Sequence, residues 1–224
     1  MSRTVAARNA QHTLNDTADK RHDAADKRDD AADRRHVATR TLNDGALAFG
    51  DADEWDAWLT EHGASVTEAW LIVAKKGHPG LTAAQAGDVA ICHGWIDSHR
   101  RALDGGSFLQ RYSPRRSGSP WSRVNVDRAN ALTVAGRMRP AGQAQIAAAR
   151  ADGRWGAAYA PQSTADVPPD LVEALAADPA AASVFAALGR GARYTLYLPL
   201  LKARTPVARS AALGRALSAL RVEP

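Results

Sequence analysis

Hydrophobic and polar positions change rhythm several times along this chain, and each change predicts an element. Over residues 18–38 the pattern repeats every seven residues, as ADKRHDA, ADKRDDA and ADRRHVA, with acid-before-base pairs four apart at Asp16/Lys20, Asp23/Lys27 and Asp30/Arg34. The period and the pairs suit a helix. A coiled coil, however, needs large apolar residues at two heptad positions, and these repeats supply only alanine. Residues 1–44 therefore read as a charged heptad-repeat extension, a single helix or a frayed segment, with a partner-dependent zipper as the alternative.

The folded part is expected to begin near NDGALAFGDADEW, where the repeats stop and tryptophans start. DADEWDAWLTEHG has an Asp cap, tryptophans three apart at Trp55 and Trp58, and a closing Gly63, which predicts a short helix. AWLIVA, residues 69–74, reads as a buried strand, although Ser65 and Glu68 stand at capping-box spacing and would make it helical. Thr82 and Gln85 form the same box before a helix that ends at Gly94, with Val89 and Cys92 on its inner face. WIDSHRRAL, DGG and SFLQRYS then alternate as two strands around a glycine turn, a β-hairpin ended by Pro114. Helical patterns follow over 121–135 and from RPAGQAQIAAARADG onward. APQSTADVPP is the expected internal linker, and short helices divided by Gly and Pro complete the chain. The fold class expected is α+β: residues 45–160 form a small sheet and hairpin domain with flanking helices, and residues 161–224 form a small helical C-terminal domain.

Composition narrows the function classes. The chain has 224 residues, 45% hydrophobic and 24% charged, the balance of a globular protein. Its longest apolar run, residues 69–74, is too short to cross a bilayer, and the N-terminus lacks the apolar core of a secretory signal. A cytoplasmic location is expected. The single cysteine, Cys92, excludes an internal disulfide and multi-cysteine zinc patterns. The formal net charge is +5, and a surplus of the same size lies between His99 and Arg128, where seven arginines face Asp104 and Asp127. Such clustering attracts anions, although a solvated charged face is the plainer explanation.

Four motifs stand in order at compatible spacing: WLIVAKKG, AICHGWID, QRYSPRRSGSPWSRVN and GRMRPAGQAQI. Through them the chain, from about Trp55 to its C-terminus, resembles the YdeI/OmpD-associated family, also called bacteriocin-protection proteins. The resemblance implies a bacterial cytoplasmic α+β protein with a helical C-terminal module, associated with tolerance of antimicrobial peptides and with an outer-membrane porin. It carries over no catalytic residue. The chain departs from the family pattern in its N-terminal repeats and in Pro199, which interrupts YTLYLPLLKA.

Candidate chemistry gathers in SPRRSGSPWSRVN. Arg115, Arg116 and Arg123 offer forks for carboxylate or phosphate, Trp121 a stacking surface, and Asn125 and the serines further polar contacts. Trp95 and Asp97 would share one surface cleft with them, Asp97 orienting an arginine, while Lys75 and Lys76 add charge at the rim. The competing reading is structural: Trp95 and Trp121 as core, and the arginines as clamps onto Asp97, Asp127 or helix ends. Cys92 and His93 point about 100° apart on a helix and so do not form a nucleophile and base. Cys92, His93, Asp97 and His99 lack helical metal-ligand spacing, and only the alternation of Asp97 and His99 on one strand face favours a metal site. Neither a catalytic residue, a metal nor a cofactor is assigned. The leading reading is a non-enzymatic protein whose cleft takes an anionic small molecule or acidic peptide. An enzyme acting on a phosphorylated or carboxylated small molecule ranks second. A nucleic-acid binder, with basic and aromatic residues interleaved but no docking motif, ranks third.

Overall fold

The computed structural model describes residues 40–41 and 45–221. The heptad repeats, and the helix or zipper expected of them, lie outside the described residues. The elements are β1 (Arg40–Thr41), β2 (Leu47–Ala48), α1 (Ala52–His62), β3 (Ala69–Ala74), α2 (Ala83–Cys92), β4 (Trp95–Ala102), β5 (Ser107–Pro114), α3 (Arg123–Val134), α4 (Pro140–Ala151), α5 (Pro169–Ala176), α6 (Pro179–Ala187), α7 (Arg190–Lys202) and α8 (Pro206–Arg221). This is the expected α+β class with helices at the C-terminus.

Helix starts follow the cap chemistry of the sequence. Asp51 accepts from the amides of Asp53 and Glu54, Thr82 and Gln85 close a reciprocal capping box, and Ser122 accepts from the amide of Asn125. Proline occupies the first turn of α4, α5 and α6, where its missing N–H costs nothing. Pro199 does not interrupt α7, which runs through it.

The strands form one sheet in the order β1-β2-β3-β5-β4. Among the described strands only β2 and β3 run parallel. Residues 69–74 are strand, not helix: alternate side chains Ala69, Leu71 and Val73 are buried, as a half-covered sheet requires. They meet Trp55 and Leu59 from α1 and Ala86, Val89 and Ala90 from α2, with Trp95, Phe108 and Tyr112 from the hairpin. The β4–β5 register slips between Asp97 and Arg100, a bulge that bends the outer strand.

Helix α2 serves two cores. Its last residues, Ile91 and Cys92, belong to a second cluster with Trp121, Val126, Ala129, Leu132, Met138, Ile146 and Ala149. The crossing of α4 over its end is close: a Cβ at Gly142 would lie 2.2 Å from the Cys92 carbonyl oxygen, so only glycine fits. A third cluster, built on Leu171, Leu175, Phe185, Tyr197, Leu200 and Leu220, holds α5–α8 together. The stretch expected as a linker is tied to this helical unit. Tyr194 and Tyr197 donate hydroxyl hydrogen bonds to the carbonyls of Ala160 and Ala165, and Ala165 and Val167 pack against its core.

Candidate anion-binding sites

Glycine 94 ends α2 with φ of 74° and turns the chain into β4. The returning strand β5 delivers Arg115 beside that turn, where its amide donates to the Gly94 carbonyl at 3.0 Å. The Arg115 side chain is only 4% exposed. Its guanidinium lies over the Trp121 ring, Cζ 3.6 Å from the centroid, and Nη1 donates to the Pro120 carbonyl at 3.4 Å. Its Nε and Nη2, and the indole Nε1 of Trp121, have no hydrogen-bond partner among the described residues. Burial lowers the Arg115 pKa to about 10. It remains protonated at neutral pH, so a cation sits inside the molecule.

Trp121 also walls a cavity of about 390 Å³ between the sheet-bearing part and the C-terminal helices, together with Arg154, Tyr159, Lys202 and Arg204. Backbone pairing fixes this wall: the Tyr159 amide donates to the Trp121 carbonyl and the Arg123 amide to the Tyr159 carbonyl. Arg154 is buried, bonds Asp152 through Nε and donates through Nη1 to the Ser119 carbonyl at 2.9 Å. Arg204 donates to the Asp152 carbonyl. Lys202 is half-buried, with Nζ 5.2 Å from the Tyr159 ring centroid and no carboxylate partner among the described residues. Burial pulls its pKa down and pushes that of Tyr159 up.

The candidates read from the sequence do not meet in one cleft. Trp95 is 2% exposed and belongs to the core under the sheet, edge-on to Trp55. Trp121, equally buried, belongs to the second cluster. Asp97 is exposed and forms no ion pair with Arg115 or Arg116 among the described residues, although its charge bears on Arg115, Tyr112 and Tyr159. Arg116 and Arg123 point to solvent, and Asn125 is half-buried with its amide engaged by Ser122. Lys75 and Lys76 line a different cavity, of about 730 Å³, with Arg100, Arg101, Thr82 and Phe108. The expected cleft is thus divided: Trp95 packs into the first core, Trp121 into the second beside one cavity, and Lys75 and Lys76 border another.

His93 serves a third arrangement. Its Nε2 lies 2.9 Å from Asp56 Oδ1, and Arg139 pairs with the same carboxylate. Burial works against ionisation of Asp56, but these hydrogen bonds outweigh it and hold the carboxyl below its ordinary value. The Cys92 thiol is buried and its pKa raised by that burial, so it makes no pair with His93 for nucleophilic chemistry.

Sequence reasoning missed Tyr159, Arg154, Lys202 and Arg204. Nothing in their local patterns separates them from surface residues.

Two known families match separate parts of the chain. Residues 47–145 match a family described as a domain of unknown function (DUF8412). Residues 164–221, the four C-terminal helices and the stretch leading into them, match the family described as bacteriocin-protection, YdeI or OmpD-associated. No curated protein and no solved structure matches the chain. The resemblance read from the motifs is therefore shown, but in the helical tail; the central motifs that suggested it fall within the other match. Over residues 164–221 the chain is thus similar to the bacteriocin-protection, YdeI or OmpD-associated family.

Proposed function

We propose that this is a non-enzymatic cytoplasmic binding protein acting in tolerance of antimicrobial peptides or envelope stress, and that it holds a small anion or the carboxylate of an acidic peptide in the 390 Å³ cavity. The observation that carries the reading is Lys202: half-buried, without a carboxylate partner among the described residues, and held beside Arg154 and Arg204 against Trp121 and Tyr159. Arg154 and Arg204 share one carboxylate, Asp152, which leaves the cavity positive. Ligand sites favour such junctions between packed units. An anion would relieve the cost of burying the Lys202 charge.

The test is thermal unfolding with phosphate, sulfate and an acidic peptide, on the parent and on Lys202→Met. Methionine keeps the apolar stem and removes the charge. The parent should gain about 2.7 kcal/mol at an anion concentration 100 times Kd, and Lys202→Met should lose most of that gain. No anion-dependent gain in the parent, or an equal gain in the variant, refutes the site. For the physiological reading, deletion cells should lose tolerance of a cationic antimicrobial peptide, and cells carrying Lys202→Met should lose it too.

A further inference from the structure

The second cavity differs in chemistry from the first. It measures about 730 Å³ and lies between the tip of the β4–β5 hairpin and the start of α2. Its floor is apolar, from Ala74, Ala102 and Phe108, and its rim is basic, from Lys75, Lys76, Arg100 and Arg101. No acidic residue lines it.

Two features bear on these cations. Arg111, Arg128, Arg139, Arg154, Arg204, Arg209 and Arg221 each pair with a carboxylate. Among the described residues Lys76, Arg100 and Arg101 pair with none. Arg100 is nevertheless held in place. Its Cζ lies 4.1 Å from the Phe108 ring centroid, and Nε donates to Oε1 of the buried Gln110 at 3.1 Å. Stacking and one hydrogen bond thus orient the fork while leaving its two Nη groups without a hydrogen-bond partner among the described residues, so little side-chain entropy remains to be lost on binding. The neighbouring Arg101 pairs with Leu109 across the strand and leans over Trp70, and contributes charge more than hydrogen bonds.

The frame is rigid as well. Lys75 Nζ donates to the carbonyl of Asp104 at 2.6 Å, and Asp104 accepts from the amides of Gly106 and Ser107 and the hydroxyl of Ser107. Across the cavity, Thr82 and Gln85 satisfy each other's amides, and Ala83 and Ala84 continue the helix start that adds positive potential.

We propose that this cavity binds a phosphomonoester carried on an apolar body, the phosphate between Arg100 and Lys76 and the body against Ala74, Ala83, Ala84 and Ala102. Several cations without a counter-charge fit the near-dianion of a phosphomonoester better than a single carboxylate. The apolar floor accounts for the rest of a ligand of the size that such a cavity encloses.

Calorimetric titration with 1-naphthyl phosphate tests this, with inorganic phosphate and 1-naphthol as the two halves of the ligand. The full-length protein should bind 1-naphthyl phosphate at least tenfold tighter than either half. Lys76→Gln and Arg100→Gln should each weaken it at least tenfold, with Tm unchanged for the exposed Lys76. A short-chain phosphatidic acid that binds tighter still would identify the source as a lipid headgroup and support the same chemistry. Equal affinity for inorganic phosphate, or full affinity in Lys76→Gln, overturns the proposal. So does a single-stranded oligonucleotide that displaces 1-naphthyl phosphate and binds more tightly. Loss of binding in Lys202→Met alone would assign the ligand to the other cavity, so the two sites fail separately.

Discussion

The β4–β5 hairpin carries an arginine pair at each end, and the two pairs have opposite fates. Near the tip, Arg100 and Arg101 are exposed on aromatic rings at the edge of a large cavity. Beyond the base, Arg116 faces water while Arg115 is buried flat against Trp121. The residue types are the same; what differs is the element that follows. At the base, α3 begins at once and folds Trp121 back over the chain, so the arginine nearest the strand is covered. At the tip, a tight turn ordered by Asp104 leaves nothing to cover the forks. Clustered arginine is therefore not itself a site. The surroundings decide whether it becomes packing material or a ligand donor.

The largest expected effect lies at the base. Trp121→Ala opens a cavity in the second core and should cost about 3–5 kcal/mol in denaturant unfolding, whereas Arg101→Ala at the tip should stay within about 0.5 kcal/mol. A cost at the tip equal to that at the base would break the comparison.

Arg115 sharpens it. Arg115→Ala removes packing from the Trp121 ring and should cost about 2–3 kcal/mol. Arg115→Met keeps the volume and removes a buried charge with two unpartnered donors, so it should be neutral or stabilising. A large loss in the methionine variant would show the charge itself to be needed. Arg116→Ala, its exposed neighbour, should change stability by less than about 0.5 kcal/mol.

Next comes the Asp56 clasp, which holds α1 to His93 and Arg139. Asp56→Asn should cost about 1–2 kcal/mol at neutral pH. Because the folded carboxyl titrates below its unfolded value, this contribution is full above the unfolded pKa near 4 and is lost as pH falls through the folded one. Parent and variant should therefore converge in acid. A difference that persists at pH 2 would contradict the assignment.

The smallest effect is at Lys202. Its folded pKa is lowered by burial, so the charged form costs stability below that pKa, and the cost is relieved as pH rises from it toward the unfolded value. The parent should gain on Lys202→Met over that alkaline window, while anion-dependent stabilisation fades through the same window. Parallel pH curves for the two proteins would exclude the buried-charge argument.

Much of the architecture was legible because its signals are local. The capping box at Thr82 and Gln85, the glycine turn between WIDSHRRAL and SFLQRYS, and the prolines opening α4 to α6 each specify an element from a few adjacent residues. Ser65 and Glu68 left residues 69–74 open between strand and helix, and burial of alternate side chains against α1 and α2 decided for strand. The site was less legible. Trp95 and Trp121 share polar neighbours in sequence, yet they pack into separate cores.

The sequence by itself determined the α+β class, the hairpin, the helical tail with its bacteriocin-protection match, and the concentration of positive charge between His99 and Arg128. All of these rest on local backbone preference or composition. Tertiary structure alone decided which arginines are buried, that Lys202 and Arg204 meet Trp121, and that Lys75 and Lys76 face Arg100 across the hairpin tip. Those outcomes depend on which side chains share a desolvated space, and that is set by contacts between residues tens of positions apart, which no local pattern encodes.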